Sequence, residues 1–199
     1  KTAYVFKTMV DPFIGKYSFV KVCSGVLKGD DVLYNPESDA EAKIGKIYTL
    51  SGNKPVEVQE LFAGDIGAIA KLTSTKTGDT LSTKNTPVSY GRTEYSKPYT
   101  YMKYVVNNKG DEDKVSQALA KMMAEDVTLK VVNDSENRQS LIYGMGDQHL
   151  EVTASKLAER YKVGIRLETP KVAFRETIRK NSDVDTKYKK QSGGHGQYG

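Results

Sequence analysis

A change in hydrophobic pattern near residue 86 most constrains the fold of this chain. Before that point, short runs rich in Val, Ile, Tyr and Phe alternate with Gly-Asp and Asn-Pro turn signals, and no stretch has a helical period. After Tyr99, strand-like runs alternate with two apolar stripes of helical period. Because the two patterns require different architectures, we expect at least two domains.

The first pattern predicts an all-β domain at residues 1–87. Its predicted strands cover residues 3–8, 17–23, 31–34, 43–50, 56–61 and 66–72. Short strands at this spacing favour a small closed antiparallel barrel, because closure removes unpaired sheet edges. Thr-Pro, Tyr-Gly and Lys-Pro pairs between Thr86 and Pro98 then predict a linker, which we place at residues 88–98.

The second pattern predicts an α+β domain at residues 99–169. The predicted strands cover residues 99–106, 128–132, 139–143 and 162–167. One predicted helix has Val115, Ala118, Leu119 and Met122 on its apolar stripe, and the other has Leu150, Ala154, Leu157, Ala158 and Tyr161. The order β-α-β-β-α-β is that of a ferredoxin-like sandwich. Residues 170–199 begin a third unit, in which residues 172–174 could form one strand.

Composition narrows the class of protein. The 199 residues have a net charge of +5, which permits an anionic partner such as RNA without requiring one. A single cysteine, Cys23, excludes an internal disulfide and a thiolate metal cluster, and its strand-like surroundings predict a buried, inert thiol. No apolar run approaches the length of a membrane span and no signal peptide is recognisable, so we expect a cytoplasmic protein. The lack of an initial Met predicts a piece of a longer chain.

The loop Gly144-Met145-Gly146 is similar to the start of a phosphate-binding loop, because it follows an apolar run and precedes a helical one. However, a dinucleotide fingerprint requires a third glycine where His149 stands, and no Gly-Lys-Ser/Thr follows to make a P-loop. The strand before the loop is also predicted to lie in a hairpin, whereas a Rossmann unit needs parallel strands. These features argue against a nucleotide site and against a dehydrogenase.

Several motifs, in order, resemble those of elongation factor G. Residues 144–151, Gly-Met-Gly-Asp-Gln-His-Leu-Glu, are similar to the Gly-Met-Gly-Glu-Leu-His-Leu-Glu signature in the third domain of that translational GTPase. Further matches to its second, third and fourth domains lie at residues 24–28, 63–66, 77–81, 118–121, 125–126, 175–178 and 191–199. The resemblance covers almost the whole chain. It implies an internal fragment containing domain II, domain III and the start of domain IV.

The sequence departs from the family pattern at several positions. Val127 stands where the family has a proline, Gln148 replaces the signature leucine, and His195 replaces the usual arginine of the Gly-rich tail. Segment 105–109 lacks a family proline, and barrel segment 44–52 is more similar to the second, divergent elongation factor G paralogues. These departures bear on translocation activity rather than on family membership.

The resemblance implies that this chain has no catalytic residue and binds no cofactor, because GTP and Mg²⁺ belong to the family's G domain. In that family, domain III packs against the G domain and relays its nucleotide state to domain IV, and fusidic acid binds near this seam. The seam-facing residues so implied are Asp126, Val127, Thr128, Met145, Gly146, Asp147, His149 and Glu151. The implied partners are the ribosome, through ribosomal RNA and small-subunit proteins, and the protein's own G domain and domains IV and V, with no membrane.

The same residues also allow purely structural interpretations. His149 could cap or pack the start of the second helix, and Asp147 could interact with the helix dipole there. Gly144 and Gly146 could supply backbone freedom at positive φ. His195 has no ligand residues near it in sequence, so we expect no metal site.

Basic residues are candidates for RNA contact. After Pro170, lysines and arginines outnumber acids and Tyr188 is interleaved, which suits phosphate binding and base stacking as well as an ordinary solvated surface. The candidates are Lys187, Lys189 and Lys190 in this segment, and Lys16 (in a predicted loop at residues 15–17) and Lys28 in the barrel.

Three functions remain open from the sequence. The parent protein could be a ribosomal translocation GTPase of the elongation factor G type. It could instead be a divergent paralogue or a ribosomal protection protein without full translocase activity. The third alternative is a free-standing RNA-binding or assembly protein built from the barrel and the sandwich.

Overall fold

The computed structural model describes residues 1–11, 15–52, 54–190 and 197–198. In its first 82 residues the described chain forms a series of short strands and no helix. These strands are β1 (Thr2–Asp11), β2 (Gly15–Ser24), β3 (Val26–Lys28), β4 (Val32–Asn35), β5 (Ala40–Lys43), β6 (Ile47–Ser51), β7 (Lys54–Val58), β8 (Glu60–Phe62), β9 (Ile66–Ala70) and β10 (Thr80–Ser82).

Eight of these strands form one antiparallel sheet in the order β5-β4-β10-β1-β2-β9-β6-β7, and β3 pairs with β8 as a separate ribbon. Strands far apart in this order, together with the ribbon, bury side chains in a single apolar cluster, to which β4 contributes Leu33, β6 contributes Ile47 and β8 contributes Leu61. The sheet must therefore curl around that cluster. The prediction of an antiparallel β-barrel is confirmed.

Cys23 is exposed, so the prediction of a buried thiol is wrong. Strand β2 alternates its side chains, with Val20 and Val22 fully buried and Lys21 and Cys23 on the outer surface. An apolar run alone did not reveal which alternate positions face the core. The phase of the alternation is set by packing across the sheet.

Two predicted strands are each divided in two. The run at residues 43–50 breaks between β5 and β6 because Ile44 turns inward, where it is fully buried. Its backbone bonds to the β3–β4 turn instead, with its N–H donating to the Asp31 carbonyl at 2.8 Å and its carbonyl accepting from Asp30 at 3.0 Å. The run at 56–61 likewise divides into β7 and β8, while β3 and β10 are strands that the sequence pattern did not predict.

Part of the predicted linker, residues 88–93, lies along the barrel, and we call it the strap. The Arg92 guanidinium donates to the buried Asp79 carboxylate at 2.6 Å. The backbone N–H of Tyr90 donates to the Thr80 hydroxyl at 3.0 Å, and the Tyr90 hydroxyl lies 2.7 Å from that of Thr2. These bonds fasten the strap beside strands β1 and β10.

The second part of the chain forms a four-stranded antiparallel sheet with two helices on one face. Its elements are β11 (Thr100–Val106), α1 (Glu112–Glu125), β12 (Lys130–Asp134), β13 (Gln139–Gly144), α2 (Asp147–Tyr161) and β14 (Ile165–Glu168). The strand order is β12-β13-β11-β14, and Leu119, Ile142, Leu150 and Leu157 lie at the centre of the core. The predicted ferredoxin-like order is confirmed. On α2, however, Thr153 is buried and the predicted core residue Ala158 is exposed.

Between β14 and residue 189 the chain has no helix or strand and is largely exposed. Residues 172–174 form no strand, contrary to the prediction, because no described strand pairs with them, and Val172 and Phe174 are exposed. Lys171, just before them, bonds its backbone to the Gln139 side chain. Strand β15 (Lys189–Lys190) pairs with β16 (Gln197–Tyr198). His195 and most of the Gly-rich tail lie outside the described residues. Within the described part, no helix has the length and apolar character needed to cross a membrane.

Candidate functional site

His149 connects the two helices of the sandwich at one end. The backbone N–H of Met145 donates to His149 Nδ1 at 3.0 Å, so Nδ1 carries no proton in this geometry. The neutral ring is then protonated at Nε2, which lies 3.0 Å from Asp126 Oδ2 and donates to it. Both ring nitrogens are therefore engaged, one at the start of α2 and the other at the end of α1. This arrangement suits a positioning role rather than proton transfer.

Asp126 ends helix α1 and is held on two sides. The backbone N–H and the hydroxyl of Thr128 donate to its Oδ1 at 2.9 and 2.6 Å. Burial alone would raise the pKa of the Asp126 carboxyl, but the bonds from Thr128 and the neighbouring His149 outweigh burial and lower it. The group therefore stays ionised and keeps the turn after α1 closed.

Gly144 is required by close packing rather than by positive φ. A Cβ at this position would lie 2.7 Å from Leu150 Cδ2 and 2.9 Å from His149 Nδ1. Gly146 has a φ of 177°, an extended conformation open to any residue, and a Cβ there would meet nothing within 4 Å. The interpretation that both glycines supply backbone freedom is therefore wrong. Gly144 instead lets helix α2 approach the end of β13.

These helix ends border a groove of about 540 Å³ between the barrel and the sandwich. The barrel side is lined by Phe6, Lys7, Thr8, Met9 and Thr77. Of the eight predicted seam residues, Asp126, Val127, Thr128 and His149 line the sandwich side. Met145, Gly146, Asp147 and Glu151 lie at the start of α2 outside the groove lining, and Met145, Asp147 and Glu151 are exposed there. Asp147 occupies the first turn of α2, although it makes no capping hydrogen bond.

A second contact, which we call the clamp, joins the two domains through Val10, Glu125 and Arg160. Glu125 Oε1 accepts from the Val10 N–H at 2.7 Å, and the Arg160 guanidinium donates to the Val10 carbonyl at 3.1 Å. Arg160 and Glu125 also pair with each other at 2.9 Å. Because both main-chain groups of one strand residue point the same way, the ion pair bonds to Val10 as a neighbouring strand would.

The clamp was not predicted from the sequence. Glu125 was noted only as part of a family motif, and Arg160 stands among other charged residues on α2. A signal did exist, because Glu125 is the last residue of α1 and Arg160 is the last but one of α2, and both lie near the apolar stripe of their helix. Their partner, however, is a backbone group 115 residues away from Glu125, which no local pattern can indicate.

The basic candidates have varied surroundings. Lys16 lies in strand β2 rather than in a loop, and its ammonium donates to the Thr75 carbonyl. Burial lowers the pKa of Lys16, with Asp79 opposing and Lys76 adding to this shift. Lys28 is exposed and pairs with Glu60 at 3.2 Å. Lys187 and Lys189 are exposed, and Lys190 contributes its backbone to β15.

Among the residues that the structure describes, no group of three or more His, Cys, Asp or Glu side chains is arranged to hold a metal ion. The chemistry of the site is that of hydrogen bonds and ion pairs between helix ends. Such a site can fix the relative positions of two helices and a barrel strand. It presents the exposed side chains of Val127 and Met145 to whatever packs there.

Two family models and a solved structure match the chain. Residues 1–84 match the model described as Elongation factor G domain 2, and residues 96–169 match that of Elongation Factor G, domain III. A crystal structure of a protein from Thermus thermophilus matches 100% of this chain with a TM-score of 0.83 and 32% sequence identity. The chain spans 30% of the length of that protein. With both domains matched in order, the chain belongs to the elongation factor G family and carries its domains 2 and III.

Proposed function

We propose that this chain is the middle part of a ribosome-dependent translational GTPase, acting in the cytoplasm. In this proposal, GTP and Mg²⁺ are bound by a G domain outside the chain. The barrel and the sandwich pass the nucleotide state to further domains that contact ribosomal RNA and small-subunit proteins. The family membership supports this role, and the length of the matched Thermus thermophilus protein leaves room for those domains.

The observation that carries the proposal is the His149–Asp126 connection between the ends of α1 and α2. It holds the two helix ends as one rigid edge, with Val127 and Met145 exposed beside it. A rigid edge can transmit a displacement from a neighbouring domain, whereas two independent loops would absorb it. The eight predicted seam residues would form this edge, with Asp126 and His149 as positioning residues.

The test is GTP hydrolysis by the full-length protein with and without purified ribosomes. We expect strong stimulation by ribosomes in the wild-type protein. In Asp126→Ala and His149→Ala, we expect the ribosome-stimulated rate to fall about tenfold, equivalent to about 1.4 kcal/mol, while GTP binding is unchanged. The matched control is Asp113→Asn, an exposed carboxylate at the opposite end of α1.

The possible results separate the parts of the proposal. An equal rate of GTP hydrolysis with and without ribosomes would rule out a translational GTPase and favour a free-standing RNA-binding or assembly role. If ribosomes stimulate GTP hydrolysis equally in the wild-type protein and in both variants, the family role is supported and the rigid edge is rejected. Stimulation without movement of messenger RNA would identify a divergent paralogue or a ribosomal protection protein, in keeping with the substitutions at Val127 and Gln148.

A further inference from the structure

The four-stranded sheet of the sandwich has one face without helices. On β11, Met102, Tyr104 and Val106 pack into the core beneath the helices. Because side chains alternate along a strand, Tyr101 and Lys103 point to the opposite face. The same alternation places Leu141 and Tyr143 of β13, and Lys130 and Val132 of β12, on this outer face.

Two tyrosines meet on the central strands of this face. Tyr101 and Tyr143 are directly opposite each other in the β11–β13 register. Their ring centroids are 5.0 Å apart and the ring planes differ by 24°, so the rings are stacked. Tyr101 is 37% exposed, and Tyr99, just before the start of β11, is 80% exposed. Aromatic surface is thus left in solvent at one end of the sheet.

Positive charge borders these rings. Lys130 is the cross-strand neighbour of Tyr143, so a row of one cation and two rings crosses the sheet. Lys130 is exposed, and no ion pair ties it to another described residue. Two residues after Tyr101 on the same face of β11, Lys103 forms an ion pair with Glu168 at 2.7 Å.

The opposite end of the same face is covered by the chain itself. The Gln139 side chain donates to the Lys171 carbonyl at 2.8 Å and accepts from the Lys171 N–H at 2.9 Å. This crossing helps to bury Gln139 and leaves the tyrosine end accessible. The accessible part of this face therefore lies at the tyrosine end.

We propose that this end of the sheet binds single-stranded RNA. Bases stack on the exposed parts of the Tyr99 and Tyr101 rings, Tyr143 stacks against the Tyr101 ring from the neighbouring strand and holds it in place, and Lys130 binds a backbone phosphate. The arrangement has the physical parts that such platforms use, namely aromatic rings on the central strands of a four-stranded sheet and a nearby cation. A double helix cannot use it, because stacked and paired bases are not free to lie on the rings. The inference does not depend on the GTP-linked role.

The test uses the full-length protein, without ribosomes or nucleotide, and a fluorescein-labelled RNA of eight nucleotides with mixed sequence. Binding is followed by fluorescence anisotropy at about 0.15 M salt. We expect Tyr101→Ala and Tyr143→Ala each to weaken binding about tenfold, as loss of one stacked base does. Tyr101→Phe and Tyr143→Phe keep the ring and should bind within about twofold of the wild-type protein.

A second pair of variants separates binding from folding, because loss of a cross-strand ring also lowers stability. Lys130→Glu keeps both rings, and we expect weaker RNA binding with an unchanged melting temperature. The control, Lys114→Glu, changes an exposed lysine on helix α1, which packs on the other side of the sheet, and should leave binding unchanged. The proposal is overturned by undetectable binding of the wild-type protein, by equal losses in Lys114→Glu and Lys130→Glu, or by duplex RNA competing as well as single-stranded RNA.

Discussion

At the residue scale, the absence of a single methyl group determines how closely helix α2 approaches the sheet. Gly144 ends β13 in contact with Leu150 and His149. The His149 ring can therefore reach both the Met145 N–H and Asp126. The sequence drew attention to this glycine for the wrong reason, because a Gly-x-Gly pattern does not distinguish positive φ from close packing. Only the neighbours in space make that distinction.

Gly144→Ala should destabilise the protein by about 1–3 kcal/mol, because the new Cβ would overlap the side chains of Leu150 and His149. Gly146→Ala is the matched control, since no atom lies near its Cβ position. The control should lose only about 0.5 kcal/mol, because alanine is a poorer helix N-cap than glycine. Urea unfolding measures both values. Equal losses would mean that the packing at Gly144 is not tight.

We predict that the free energy of unfolding depends on the ionisation of the Asp126 carboxyl at acidic pH. Its pKa is lowered in the folded protein from an ordinary value of 3.8. The stabilisation is therefore complete above about pH 3.8 and is lost as the pH falls through the folded pKa. Asp126→Asn removes this titration, so the stability difference between wild type and variant should shrink below pH 3.8. Unfolding curves between about pH 2 and 7 test this, with Asp183→Asn, in the exposed segment after β14, as the control. A constant difference across that range would contradict the assignment.

At the element scale, turn residues and alternation predicted most strands, but not where a strand breaks. The divided run at 43–50 is the clearest example. Its Ile, Tyr and Thr residues favour β-structure, but Gly45 lies at the break, where Ile44 finds a buried site and backbone partners at Asp30 and Asp31. The short strands β3 and β10 were not predicted, because their local pattern is too weak. Three residues carry too little pattern, and these strands are defined by their partners.

The strap is an element without secondary structure that nevertheless stabilises the barrel. Asp79 is almost fully buried and receives bonds from Asn35, the Lys76 N–H and Arg92. Arg92→Ala should therefore destabilise the protein by about 1–2 kcal/mol, a modest value because the guanidinium is half exposed. Thermal unfolding checks this, with Lys84→Ala removing an exposed ion pair as the control. A loss no larger than in the control would show that Asp79 is satisfied without the strap.

At the scale of the whole molecule, the clamp fixes the barrel to the sandwich. Arg160→Ala and Glu125→Ala should each destabilise the protein, and their double-mutant cycle should give a coupling energy of about 1–2 kcal/mol. Each loss should exceed that of Arg166→Ala, which removes an exposed ion pair on the sandwich sheet. Urea unfolding of the four cycle members measures the coupling. A coupling near zero would mean that the two domains are held together by other contacts.

The sequence predicted the architecture of each domain more fully than the relation between the domains. Periodicity depends on neighbours along the chain, so it identified the ferredoxin-like order and the apolar stripe of α1. The groove and the clamp depend on residues such as Val10 and Arg160, which are far apart in sequence. The outer-face tyrosines were also overlooked, because alternation shows that Tyr101 and Tyr143 share a face only once the register is known.

The clamp has a further consequence for the barrel as a folding unit. On the side away from β2, strand β1 pairs with β10 only along Thr2–Tyr4, so its later part has no strand opposite it. At Val10 the side chains of Glu125 and Arg160 occupy the place of that strand. A barrel expressed without the sandwich would leave these groups open to intermolecular strand addition and domain swapping. The barrel is translated first, so this edge of β1 stays uncovered in the nascent chain until the sandwich has folded and bonds to Val10.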